Sequence, residues 1–124
     1  NDLIQYGLAI DLVNEELAPY YDPLHPYVLR SIRDVIQVGH EAGIWVGICG
    51  EMAGVAECIP LLVGLDVDEL SVNAVAIPHV KQVVRALSHQ ETIELARQAL
   101  SRGSAAEIRQ LVSEAMESVF DYEV

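Results

Sequence analysis

The stretch 44–54, Ile-Trp-Val-Gly-Ile-Cys-Gly-Glu-Met-Ala-Gly, changes character halfway along. Its first five residues are apolar or glycine, the composition of a strand buried on both faces. A thiol, a glycine and a carboxylate follow at once. A buried strand with that ending delivers polar chemistry to the rim of a core, and in parallel α/β folds the carboxyl ends of strands are where ligands sit. Cys49 is therefore the first candidate for a functional side chain. The competing reading is structural, since a free cysteine is commonly a small buried hydrophobe, and residue type alone favours it.

Other polar residues offer weaker signals. Cys49 and Cys58 form neither a metal-like cluster nor a disulfide framework; two free thiols fit a reducing, cytoplasmic setting. Asp2 precedes an apolar helical pattern and reads as an N-cap. His25 lies in a proline-rich loop and reads as a structural residue. The acidic run 66–69 lacks the spacing of a calcium loop and reads as solvated surface. The formal charge of −12, from 19 acids against 7 bases, argues against nucleic acid as a partner. It leaves an anionic small substrate open, because a few local donors outweigh a distant net charge. No apolar run is long enough to predict a membrane span.

These residues need elements to position them. The 124 residues suffice for one domain with a core, and at 52% hydrophobic and 6% aromatic that core is aliphatic. Residues 1–17 read as a short helix with Leu3, Ile4, Leu8 and Leu12 at helical spacing. Pro19, Pro23 and Pro26 make an ordered loop, and Pro26 suits a helix start. Val28, Leu29, Ile32, Val35 and Ile36 form the next apolar stripe, closed by Gly43. After the strand at 44–48, residues 55–63 read as a short buried helix ended by Gly64, and residues 69–72 as a second strand. Strand, helix and strand at this spacing predict a right-handed βαβ unit with parallel strands. A helix opening near Pro78 has Ile77, Val80, Val84 and Leu87 on its inner face. Capping boxes at Ser88 and Ser104 open two more, with Ile93, Ala96 and Leu100, then Ile108, Leu111, Val112, Ala115 and Val119 inward.

About five helices and two strands make an α/β inventory with a deficit of strands. A two-stranded parallel sheet is a poor core by itself. The chain also opens at Asn1-Asp2 without a methionine. Either helices cover the sheet entirely or the missing strands lie upstream of Asn1; the second reading is favoured, and it makes the chain the C-terminal portion of a (β/α)8 barrel, a fold of roughly 250 residues.

Four motifs, in order, resemble one family: Asn1-Asp2-Leu3-Ile4-Gln5-Tyr6, Tyr21-Asp22-Pro23-Leu24-His25-Pro26, Cys49-Gly50-Glu51-Met52-Ala53 and Asp68-Glu69-Leu70-Ser71. Together they are similar to the C-terminal phosphoenolpyruvate-binding domain of enzyme I, the phosphoenolpyruvate–protein phosphotransferase of bacterial sugar transport. Pyruvate phosphate dikinases and phosphoenolpyruvate synthases share a Cys-Gly-Glu turn, but Met52-Ala53 and the 22–26 loop look more like enzyme I. The resemblance implies a (β/α)8 TIM barrel, with residues 1–124 its C-terminal fragment. Asn1 would lie just past strand six, and strands seven and eight would begin at Ile44 and Glu69. It implies transfer of a phosphoryl group from phosphoenolpyruvate to a histidine on a separate N-terminal domain, with pyruvate released and a phosphocarrier protein as the later partner. It further implies Asp2 as a Mg²⁺ ligand and substrate contact, Asn1 as a holder of phosphoryl oxygens, and Cys49 as the acid that protonates the enolate carbon. A cytoplasmic homodimer is implied too. The isolated 124 residues would turn nothing over.

One position departs from the family pattern. Where the family reads Asp-Arg-x-Asn, this chain has Asp11-Leu12-Val13-Asn14. Leu12 removes a charge-assisted phosphate contact. This keeps a second expectation open: a weakened or regulatory paralogue acting as a dimerisation or interaction module.

Overall fold

The computed structural model describes residues 1–120, apart from the side chains of residues 118 and 120. The chain forms α1 (Asp2–Leu8), α2 (Pro26–Glu41), β1 (Gly47–Cys49), α3 (Ile59–Gly64), β2 (Glu69–Ser71), α4 (Ile77–Ala86), α5 (His89–Leu100) and α6 (Ala105–Phe120). Short 3-10 turns cover Ala18–Tyr20 and Glu51–Gly54. The two strands pair in parallel with Gly47 opposite Glu69, Ile48 opposite Leu70 and Cys49 opposite Ser71. This is a helix-rich α/β arrangement, and the parallel pairing is the one expected from the spacing.

The core is aliphatic as its composition predicts. Leu24, Val28, Leu29, Cys58, Leu61, Leu62, Ile108 and Val112 are fully or almost fully buried in one cluster, and Ile59, Val80 and Val83 make a second, smaller one. Each such leucine or isoleucine is worth about 1.5–3 kcal/mol relative to exposure. The most extensive helix contact joins α3 to α5. Prolines stand in the first turn of α2, α3 and α4, where the missing N–H has no helical partner to lose. Ser88 accepts from the Glu91 N–H, and the Ser104 hydroxyl accepts from the Glu107 N–H at 3.3 Å while donating to the Glu107 carboxylate at 3.0 Å. Both serines thus cap their helices, the serine half of the expected capping box.

Several local expectations change. The first helix stops at Leu8, where Ala9 turns left-handed and its N–H bonds back into the helix. Its N-cap is Asn1, and Asp2 falls inside the first turn. The strand predicted at 44–48 shortens to three residues and is not buried on both faces: Ile44 and Trp45 are 62% and 68% exposed. Within the described residues only β2 pairs with β1, so the sheet has two strands. Residues 55–58 stay outside α3, which starts at Ile59 because Pro60 fits only its first turn. Residue 72 falls outside β2. On α4, Val83 is buried while Ile77 and Val84 are exposed; on α2, Val35 is exposed.

The acidic loop is not simply solvated. One oxygen of Asp68 accepts from the Val46 N–H at 2.7 Å and meets His40 Nε2 at 2.6 Å. These hydrogen bonds, His40 first, hold its carboxyl below the usual carboxylate range. Asp66, at a positive φ, meets His89 at 2.9 Å. His25 caps α2 through Nδ1, which agrees with its structural reading.

Burial, reinforced by Glu57 and Asp22, pushes the Cys58 thiol from 9.0 up to about 12, against a smaller opposing effect of Arg109. The unfolded chain therefore loses this proton first as pH rises. Stability is unaffected below about pH 9 and declines above it, by up to about 1.4 kcal/mol per pH unit from this group. Urea midpoints followed from pH 8 to 10.5 are expected to fall less steeply in Cys58→Ala than in the parent.

Candidate functional site

The N-terminus of α1 and the carboxyl end of β1 are brought together. Asn1, Asp2, Leu3 and Ile4 from the first element, Ile32, Val35 and Ile36 from α2, and Val46 through Cys49 with Met52 line one cavity of about 300 Å³. Its walls are mostly apolar, and its polar groups are the Asn1 amide, the Asp2 carboxylate and the Cys49 thiol. All three residues singled out in the sequence thus face one space, across more than forty residues of chain. Leu12 does not line it; it sits in the turns after α1.

Local chemistry explains the arrangement. Cys49 ends β1, and Gly50 then takes φ 119° and ψ 177°, a backbone state disfavoured for residues with a Cβ. A Cβ at Gly50 would also lie 3.3 Å from both the backbone nitrogen and Oδ1 of Asn1. The bare glycine lets the turn close against α1. The 3-10 turn that follows buries Met52 and Ala53 and leaves Glu51 exposed.

The two cysteines differ completely. Cys49 is exposed, so the buried-hydrophobe reading fails there; Cys58 is fully buried and fits that description. A thiol reagent applied to the folded chain is expected to modify Cys49 and spare Cys58. One equivalent of thiol should react with 5,5′-dithiobis(2-nitrobenzoate) before unfolding and two after.

The Asp2 carboxylate is exposed and holds no other part of the described chain. It stands in the first turn of α1, beside N–H groups free to meet an anion. Among the described residues no group of three or more His, Cys, Asp or Glu could hold a metal ion. The Asp2 carboxylate alone is one oxygen donor, and a hard cation held there would need its remaining ligands from substrate oxygens and from outside the described residues.

Two contacts went unanticipated. Tyr21 donates its hydroxyl to Asn1 Oδ1 at 3.1 Å. Burial, then the charges of Glu51 and Cys58, raise the Tyr21 phenol above its ordinary value. Its neighbour Asp22 accepts the Leu24 N–H at 2.9 Å and takes a two-nitrogen grip from Arg109 on α6, which also meets Glu57 at 3.3 Å. The prolines around Tyr21 and Asp22 were the available signal, marking the loop as ordered; a partner 87 residues away leaves no local trace.

Among the described residues no helix is long and apolar enough to cross a membrane. The family described as PEP-utilising enzyme, PEP-binding domain, matches residues 1–89. The chain is 44% identical to a phosphoenolpyruvate-protein phosphotransferase of Haemophilus influenzae over 92% of its own length and 20% of that protein. It is 42% identical to that of Listeria monocytogenes over 90% of its length and 20% of the relative. It is 43% identical to multiphosphoryl transfer protein 1 of Escherichia coli over 91% of its length and 14% of the relative. The chain therefore spans a fifth or less of the relatives it matches. A family match over residues 1–89, with 42–44% identity to these relatives, places the chain in the PEP-utilising enzyme family, as part of its PEP-binding domain.

Proposed function

We propose that this chain forms part of the phosphoenolpyruvate site of a larger phosphotransferase, one that passes a phosphoryl group from phosphoenolpyruvate to a histidine and releases pyruvate. The observation that carries this reading is the convergence of Asn1, Asp2 and Cys49 on one mostly apolar cavity. Asn1 would offer a hydrogen-bond donor to the phosphoryl group, Asp2 a carboxylate to its counter-ion, and Cys49 a proton source, all from residues lining the same cavity.

In this reading the Asn1 amide nitrogen donates to the phosphoryl oxygens as the bridging P–O bond breaks and a P–N bond to the accepting imidazole forms. The electron pair left on the enolate takes a proton from the Cys49 thiol at carbon, which yields pyruvate; the thiolate recovers its proton from water. A thiol suits that role because it can hand over its proton as a general acid. Mg²⁺ would neutralise charge on the phosphoryl and carboxylate oxygens when bound, and Asp2 would supply one of its oxygen ligands. The accepting histidine belongs to another domain; His25, His40 and His89 are engaged in capping or carboxylate contacts.

The larger protein would complete a (β/α)8 barrel around β1 and β2. The exposed Ile44 and Trp45 support this, since apolar residues flanking a parallel strand are normally covered. It would act in the cytoplasm, as a homodimer that hands its phosphoryl group to a phosphocarrier protein; the exposed Tyr6, Val13 and Tyr20 offer apolar surface for association.

Isothermal titration of the full-length protein with phosphoenolpyruvate and Mg²⁺ tests the reading. A dissociation constant between micromolar and millimolar is expected, and absence of binding throughout that range would reject it. By the resemblance, Leu12 stands where the family has a phosphate-binding arginine, outside the lining of the cavity itself, and on that ground a weakened form of the same site is the second reading. Leu12→Arg is then expected to tighten binding by about tenfold, the worth of one charge-assisted phosphate contact; unchanged affinity would remove the weakened-paralogue reading.

A further inference from the structure

We propose that Tyr21 is a positioning residue for this site, one that sets which end of the Asn1 side-chain amide faces the substrate. The inference rests on the phosphoenolpyruvate reading above and adds a residue to it.

A carboxamide has two unlike ends, a carbonyl that only accepts hydrogen bonds and an NH₂ that only donates. A phosphoryl group presents acceptor oxygens. Asn1 can hold it only with the NH₂ turned toward it; the flipped amide would set one acceptor against another. Something must choose between the two. Tyr21 Oη lies 3.1 Å from Asn1 Oδ1, and a phenol O–H donating to a carbonyl engages the oxygen and leaves the nitrogen for the ligand. The phenol thus selects one orientation of the amide.

Tyr21 is itself held firmly. It is half-buried against the main core cluster. The next residue, Asp22, is tied through Arg109 to α6, and its carboxylate also accepts the Leu24 N–H. Burial keeps the phenol protonated across the neutral range, so it remains a donor. The same Asn1 side chain is therefore referenced to α6, an element beyond the matched residues 1–89.

A double-mutant cycle in the full-length protein tests the proposal, with initial rates of pyruvate release as the readout. Tyr21→Phe keeps the ring and deletes the donor. It is expected to lower kcat/KM for phosphoenolpyruvate about tenfold, with the thermal midpoint of the protein little changed. In an Asn1→Ala background the same substitution is expected to change kcat/KM by less than twofold, because the group it orients is gone. A drop of equal size in both backgrounds would overturn the proposal, since a general structural effect does not depend on Asn1. So would full activity in the single variant. If Asn1→Ala alone leaves kcat/KM unchanged, the site reading itself fails and the proposal falls with it. Should Tyr21→Phe lower the thermal midpoint markedly, Tyr21→Trp, which retains bulk and presents an N–H elsewhere, is expected to give the same cycle; a loss independent of Asn1 there also overturns the assignment.

Discussion

Asp2→Ala in the full-length protein is expected to lower phosphoenolpyruvate-dependent phosphoryl transfer by about 10³-fold or more, with the fold intact. The carboxylate is exposed and supports no other described residue, so its removal sacrifices only a favourable charge in the first turn of α1, worth about 0.3–1 kcal/mol. Its proposed work is elsewhere. A preorganised charge at a water-poor site acts on charge that moves during reaction, and deleting one such group typically lowers kcat by about 10²–10³; the loss of metal affinity adds to this. The decisive measurement is the Mg²⁺ dependence of pyruvate release. Asp2→Asn should need a higher Mg²⁺ concentration for half-maximal rate, and Asp2→Ala should not be rescued at any concentration. Retention of more than a tenth of the activity by Asp2→Ala would mean that the carboxylate lies near the substrate without serving it.

The largest stability effect is expected at Gly64→Ala. A Cβ at Gly64 would overlap the carbonyl oxygen of Thr92 and come within 2.9 Å of Ala96 Cβ. Both neighbours lie on buried faces of α5, and Thr92 is itself tied to His89 O at 2.7 Å. The obstacle is helix backbone and cannot swing aside as a flexible side chain could. The helices must separate along the most extensive contact in the structure. Overpacking of this kind costs about 1–3 kcal/mol where side chains can yield, so about 3 kcal/mol or more is expected here. Urea unfolding should show a lower midpoint at unchanged slope. Gly103→Ala is the matched control: its new methyl would meet only Glu107 Oε1, at 3.9 Å, and a change within about 0.5 kcal/mol is expected, as for other surface substitutions. Equal losses at the two glycines would show that α3 and α5 are not packed as described.

The consequences reach the site. Gly64 ends the helix that separates β1 from β2, and displacement of α3 would disturb their register. Cys49 stands opposite Ser71 only while that register holds. Gly64→Ala is therefore expected to reduce substrate binding as well as stability, whereas Asp2→Ala separates the two.

Elements whose cues are local were legible in the residues. Pro26 and Pro78 marked helix starts, Ser88 and Ser104 with their glutamates marked two more, and Gly43 marked an end, because these residues act on their own backbone or on one three residues away. The parallel pairing of the strands followed from the length of chain between them. Asn1, Asp2 and Cys49 were identified as residue types in recognisable runs. What failed was burial. Ile44, Trp45 and Val35 have core composition yet stand exposed, since burial depends on what lies across from a side chain and not on the side chain itself. The same limit hid Val83 behind Val84 and left the hydrogen bond of exposed Asp68 to His40, 28 positions away, without a local cue.

By itself, then, the sequence determined the helices with strong ends, the aliphatic character of the core and the identity of the polar groups worth testing. Only the tertiary structure decided that those groups share a cavity, that Cys58 and not Cys49 is the interior thiol, that Gly64 is where two helices touch, and that Tyr21 addresses Asn1. Each of these is a distance between residues far apart in the chain. Such distances come from how preformed elements pack, and no single segment carries that information.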